Sequence, residues 1–190
     1  MKTGRIVIFV LIAAAQLAVP ASLVWKRGRT LAYGRVWKFK TEPVDPEDAI
    51  RGRYVALRLA ADKVSEQPEP SPGEKIEPET EIYATLKEDA DGFARVDKIS
   101  ATRISGDDAV QAKMGYWSGG WQYIHFPFDK FWVAEKVAPQ AEQAYRENSR
   151  RGKENAYVTV RVRDGDAALE QLFIDNKPLA EYLRAAAEKK

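Results

Sequence analysis

AYVTVRVRDGDAALEQLFI, residues 156–174, decides the fold. Val158, Val160 and Val162 alternate with polar partners, the period of a strand with one buried face. Asp164-Gly165 supplies a pair suited to the positive φ of a tight turn, and Leu169 to Ile174 return the chain. Working backwards, EIYATLKEDADGFARVDKI (81–99) repeats the design. Ile82–Lys87 and Phe93–Ile99 flank Asp91-Gly92, a second hairpin. RYVALRL (53–59) alternates again, with Val55, Leu57 and Leu59 on the apolar row. Thr30 to Lys40 alternates more loosely, with Leu31, Tyr33, Val36 and Phe39 as its apolar marks, and reads as the first strand.

Two helices are expected among these strands. APQAEQAYREN (138–148) carries Pro139 in its first turn and Ala141 and Tyr145 four apart on a packing face. NKPLAEYLRAAAEKK (176–190) is a short tail helix with lysines at its negative end. Strands that occur mainly as hairpin pairs predict a mainly β (β-rich α+β) fold. Its form is an antiparallel, hairpin-built sheet or partial barrel with one covering helix.

The N-terminus is different. Ile6 to Trp25 is twenty residues without a charge, about 30 Å as a helix, which is the thickness of a hydrocarbon core. Lys2 and Arg5 precede it; Lys26, Arg27 and Arg29 follow. An uncleaved anchor uses the whole run. A signal peptide uses only Ile6–Ala15, with Val19-Pro20-Ala21 as a tolerable cleavage site. The apolar run continues past that site into a basic stop, which favours the anchor. The short basic N-terminus argues for a body outside the cytoplasm, whereas the more basic far flank argues for the reverse. The organisation is thus residues 1–29 as anchor and 30–190 as one domain.

Within that domain, Ser65 to Glu81 holds four prolines and six glutamates against one lysine, and reads as a mobile surface loop. Asp45-Pro46-Glu47 reads as a short capped helical turn.

Composition excludes more than it selects. A net charge of +2 favours no particular partner, and the absence of cysteine removes disulfides, thiol catalysis and Cys-based metal sites. His125 is the single histidine, so it cannot build a metal site alone, and no cofactor is expected. A signal-peptidase-like serine protease needs a Ser soon after the membrane segment, and none stands between Ser22 and Ser65. No phosphate-binding Gly loop is present either. The chain is therefore expected not to be an enzyme.

GYWSGGWQYIHFPFDKFW (115–132) concentrates eight aromatics and is expected to fill the core, although Tyr and Trp also suit a membrane interface or a protein groove. RENSRRGKENAYVTVRVR (146–163) holds six cations against two acids; a solvated face is its default, attraction to anionic lipid its alternative. Its cations are not ordered along a strand with stacking aromatics, so nucleic acid is not expected.

DPEDAIRGRYVALRL (45–59) resembles the signature of the GDYXXLXY family of bacterial membrane-anchored proteins through Asp45, Pro46, Asp48, Arg51, Gly52, Tyr54 and Leu57. EIYATLKEDADG, FPFDKFWVAEKVAPQAEQAYRE and LFIDNKPL resemble further family segments in the same order. Two positions depart: Arg53 stands at the motif's Asp and Leu59 at its last Tyr, so no acidic role carries over to position 53. The resemblance implies a functionally uncharacterised domain, held at the inner membrane with its body on the extracytoplasmic (periplasmic) side. It also implies a multi-pass integral membrane protein as partner.

Arg51, Gly52, Arg53, Tyr54 and Glu135 are the candidate binding residues. Exposed amides and guanidinium groups at Arg51–Tyr54 suit a carboxylate or a lipid phosphate, and Glu135 would pair with Arg51 or Arg53. The competing readings are a glycine turn with solvated flanks and an acid favoured by a helix N-terminus.

Overall fold

The computed structural model describes residues 2–42, 54–64, 77–150 and 152–188. The elements run α1 (Lys2–Tyr33), β1 (Arg35–Glu42), β2 (Tyr54–Ala56), β3 (Arg58–Leu59), a 3-10 turn (Ala60–Asp62), β4 (Lys63–Val64), β5 (Glu81–Glu88) and β6 (Ala94–Ser100). They continue through β7 (Ala109–Ser118), β8 (Trp121–His125), β9 (Lys130–Trp132), α2 (Ala138–Asn148), β10 (Ala156–Arg163), β11 (Asp166–Ile174), β12 (Lys177–Pro178) and α3 (Leu179–Ala187).

One sheet has the order β12-β11-β10-β1-β3 and the other β4-β8-β7-β5-β6; β2 and β9 form a separate ribbon. All their pairings are antiparallel. The expected β-rich, hairpin-built architecture is present. Val158, Val160 and Val162 are fully buried, and Asp164 and Gly165 take φ of 51° and 90° to turn the chain. The two large sheets enclose one core. Phe39 of β1 lies edge-on to Phe126 and Phe128, with centroids 5.4 and 5.1 Å away. Polar contacts stitch the sheets, among them the Trp37 indole donating to the Asp107 carbonyl at 2.9 Å and the Gln111 amide to the Gly165 carbonyl at 2.9 Å.

α2 covers the core through Ala141 and Tyr145, as its spacing predicts. α3 adds Leu179, and the Asn148 amide ties the two helices by donating to the Tyr182 hydroxyl at 3.2 Å.

Two expectations are corrected. The first strand does not start at Thr30. The helix continues to Tyr33, with the Gly34 amide donating to the Thr30 carbonyl at 2.9 Å, and β1 starts at Arg35. Its inner row is Trp37, Phe39 and Thr41; Val36 is 41% exposed whereas Trp37 is 2% exposed. The aromatic tract also fills the core only in part. Phe126 and Phe128 are buried, but Tyr116, Trp117, Trp121 and Trp132 are exposed. Asp45-Pro46-Glu47 lies outside the described residues, as does the loop from Ser65 to Ile76.

α1 contains a 28-residue stretch, Ile6–Tyr33, long and apolar enough to cross a membrane, and none of its apolar window packs against the body. Pro20 lies inside it, and the helix runs on past Val19-Pro20-Ala21.

Candidate functional site

A cleft of about 750 Å³ opens where the β2–β9 ribbon faces β8 and the 3-10 turn. Its position follows from register. Tyr54 pairs with Trp132 across the ribbon, and Lys63 pairs with Tyr123 where β4 joins β8. The Leu57 amide donates to the Asp129 carbonyl at 2.8 Å and closes one end.

One wall is aromatic. Tyr54 meets Trp132 edge-on at 5.3 Å, and the Lys130 ammonium stands 5.5 Å from the Tyr54 ring. Tyr123 and His125 line the other wall, so the histidine is exposed at a cleft and not packed in the core. The floor is apolar, formed by Leu57, Leu59, Ile124 and Phe126.

Charges are balanced around it: Glu42, Asp62 and Asp129 against Arg58, Lys63 and Lys130. Lys63 is committed to Glu42, with its ammonium 3.0 and 2.7 Å from the two carboxylate oxygens. Asp62 accepts a hydrogen bond from the Leu59 amide at 2.9 Å. Burial nonetheless pushes the Asp62 carboxyl up to about 7, with Glu42 and Asp129 adding to the shift and the Leu59 amide and Arg58 opposing it. Asp62 is thus shared between acid and carboxylate near neutral pH. Behind it, burial raises Tyr145 to about 12, so its hydroxyl stays protonated and donates to the Glu42 carbonyl at 3.3 Å. Among the described residues no group of three His, Asp or Glu side chains is arranged to hold a metal ion.

Of the sequence-predicted site residues, Tyr54 lines the cleft. Glu135 lies in the exposed turn between β9 and α2 and does not line it. Arg51, Gly52 and Arg53 lie outside the described residues. Sequence reasoning missed Glu42, Asp62, Asp129 and Lys130. They are scattered over 89 positions, and only the strand register brings them together. The one local signal was Leu59-Ala-Ala-Asp62, in which an acid three residues into a turn reaches back to its first amide.

A second exposed feature is the tip of the β7–β8 hairpin. Register breaks between Met114 and Trp117, so Gly115 and Tyr116 form a bulge. The Gln122 side-chain amide fixes it by donating to the Gly115 and Tyr123 carbonyls at 2.8 and 2.9 Å. Tyr116, Trp117 and Trp121 stand in solvent around this uncharged tip, Trp117 with 53% of its surface exposed.

No curated protein and no solved structure matches the chain. A family model described as GDYXXLXY protein matches residues 16–172, from the middle of α1 to within β11. That span takes in β2 and β3, which together hold the stretch read as one strand in the sequence, as well as the cleft and the aromatic hairpin, and the chain therefore belongs to the GDYXXLXY family.

Proposed function

We propose that this chain is a membrane-anchored accessory domain. α1 spans the inner membrane, the body lies on the extracytoplasmic side, and the body docks to a multi-pass membrane protein without chemistry of its own. One observation carries the reading: three large aromatics, Tyr116, Trp117 and Trp121, are held in solvent on a braced hairpin. Exposed Tyr and Trp on a rigid scaffold are the composition of a binding hot spot, because they bury large area at little entropic cost. The tip is also far from the helix. Val110, near the start of β7, bridges Gly165, and the tip at Ser118 is eight residues along the strand, about 25 Å away. Such a position suits a protein that rises above the bilayer.

The test is purification of the full chain from native membranes in mild detergent. A single integral membrane protein with several spans should co-elute stoichiometrically and be lost from a Trp117→Ala/Trp121→Ala variant. A protein that elutes alone at every detergent level, or a partner unaffected by the variant, refutes it.

The cleft supports a second reading, a sensor for a small anion near Tyr54. A Tyr ring, Lys130 and an acid that changes charge near neutral pH converge on one cavity. The cleft adjoins Glu42 at the end of β1, about 25 Å of strand from the end of α1, which favours a soluble anion over a lipid headgroup. Calorimetric titration with inorganic phosphate should show binding that Lys130→Ala abolishes; heats identical in both proteins dismiss the sensor.

A further inference from the structure

The junction between α1 and the sheets places one surface of the body at a defined depth. Ile6 to Trp25 is the charge-free run, about 30 Å of helix, and its large side chains stand clear of the body. The body begins to touch the helix only beyond that run. Thr30 is buried, and the Lys26 ammonium lies 2.7 Å from the Asp166 carboxylate. Lys26 to Tyr33 adds about 12 Å of helix, more than the layer of headgroups on one side of a bilayer. Asp166 opens β11 and follows the Asp164-Gly165 turn directly. That turn therefore hangs beside the helix at the level of the headgroups.

The side chains at this level have interfacial chemistry. Trp25 and Tyr33 are both exposed, and each carries a guanidinium group over its ring: Arg29 at 4.8 Å from Trp25, Arg163 at 5.6 Å from Tyr33. Several cations are neutralised within the fold: Lys26 by Asp166, Arg35 by Glu88, Arg161 by Glu170, and Arg163 by the adjoining Asp164 at 3.8 Å. Three more are not. Arg27, Arg29 and Arg103 are exposed, and none lies within ion-pair distance of a carboxylate of the described residues. Among the described residues Arg103 donates to the Asp164 carbonyl alone, at 3.4 Å, which holds it beside the turn.

We propose that Arg27, Arg29 and Arg103, arranged around the Asp164-Gly165 turn, form a collar that binds the headgroups of anionic phospholipids. The occupant follows from charge and place. A phosphodiester accepts the paired N–H donors of a guanidinium group, and an anionic headgroup brings a charge that a zwitterionic one has cancelled. The surface is continuous with the spanning helix, so lipid is the molecule that meets it first. The site is distinct from the cleft and from the aromatic hairpin, and it operates on either side of the membrane. It rests on α1 crossing the bilayer.

The experiment uses the full chain in mild detergent, supplied with phosphatidylglycerol or phosphatidylcholine, with retained lipid counted by native mass spectrometry. Phosphatidylglycerol should be retained in preference. An Arg27→Gln/Arg29→Gln/Arg103→Gln variant should lose that preference, by about fivefold for each cation removed. All three side chains are exposed, and an unchanged circular-dichroism melt verifies that the variant folds. Equal retention of the two lipids, or a variant that keeps the preference, overturns the collar. Displacement of the lipid by millimolar inorganic phosphate reassigns the site to soluble anions and also overturns it. Alkaline carbonate extraction of native membranes tests the span separately: release of the chain refutes the anchor, whatever the lipid count.

Discussion

The Asp62 carboxylate accepts the Leu59 amide at 2.9 Å, yet the same side chain is desolvated enough to hold its proton up to about 7. The folded pKa is raised above the unfolded value, so the folded state binds more protons between the two. Stability from this group is complete below about pH 4 and is lost as pH rises through 7. Asp62 is only half-buried, which reduces the effect to the order of 1–2 kcal/mol. Asp62→Asn keeps an oxygen for the Leu59 amide and removes the titration. Chemical denaturation should find the variant equal to the parent at pH 4 and more stable by that amount at pH 8. Parallel pH profiles would show that the raised pKa is wrong.

Gly34 has no room for a side chain. A Cβ there would stand 2.6 Å from the Thr30 carbonyl oxygen and 2.9 Å from that of Val162, both backbone atoms that yield only if the chain shifts. Gly34→Ala should lower the stability of the body by about 1–3 kcal/mol. Thermal unfolding of the full chain in detergent measures it, and an unchanged melt contradicts the close approach.

Gln122→Ala leaves the Gly115 and Tyr123 carbonyls without their shared donor. The expected cost is about 1 kcal/mol, concentrated in the hairpin that carries Trp117 and Trp121. Hydrogen exchange of β7 and β8 amides should accelerate near the tip while β10 and β11 stay protected. Uniform protection in both proteins would mean that the bulge is held by something else.

The Thr159 hydroxyl is buried beside the β10–β11 register shift, and it has no hydrogen-bond partner among the described residues. Thr159→Val replaces it with a methyl group of the same shape. The variant should be as stable as the parent or more so, by up to about 1 kcal/mol in urea titration. A clear loss of stability would require an unseen partner for the hydroxyl.

The hairpins were legible in the sequence because alternation and turn chemistry agree locally. Val158, Val160 and Val162 repeat every second residue up to an Asp-Gly pair, and no tertiary contact is needed to read them. The helix α2 was equally plain from Pro139, Ala141 and Tyr145. Where α1 ends was not legible. Thr30 to Tyr33 fits either period, and the close fit of Gly34 against Val162, 128 positions away, settles it. The aromatic tract misled for a related reason. The one-residue bulge at Gly115–Tyr116 changes which face the side chains after it in β7 take, and composition carries no record of it. The cleft is the least legible feature, because Glu42, Asp62 and Lys130 become neighbours only through the β1–β3, β4–β8 and β2–β9 pairings.

α1 passes into β1 with only Gly34 between them, and the Arg161 guanidinium donates to the Gly34 carbonyl at 3.2 Å to lock the step. The head therefore has no slack tether to the helix. In the membrane-anchored arrangement proposed above, a turn of the helix in lipid swings the sheets through the same angle. A grip on the head is in the same way a torque on the helix.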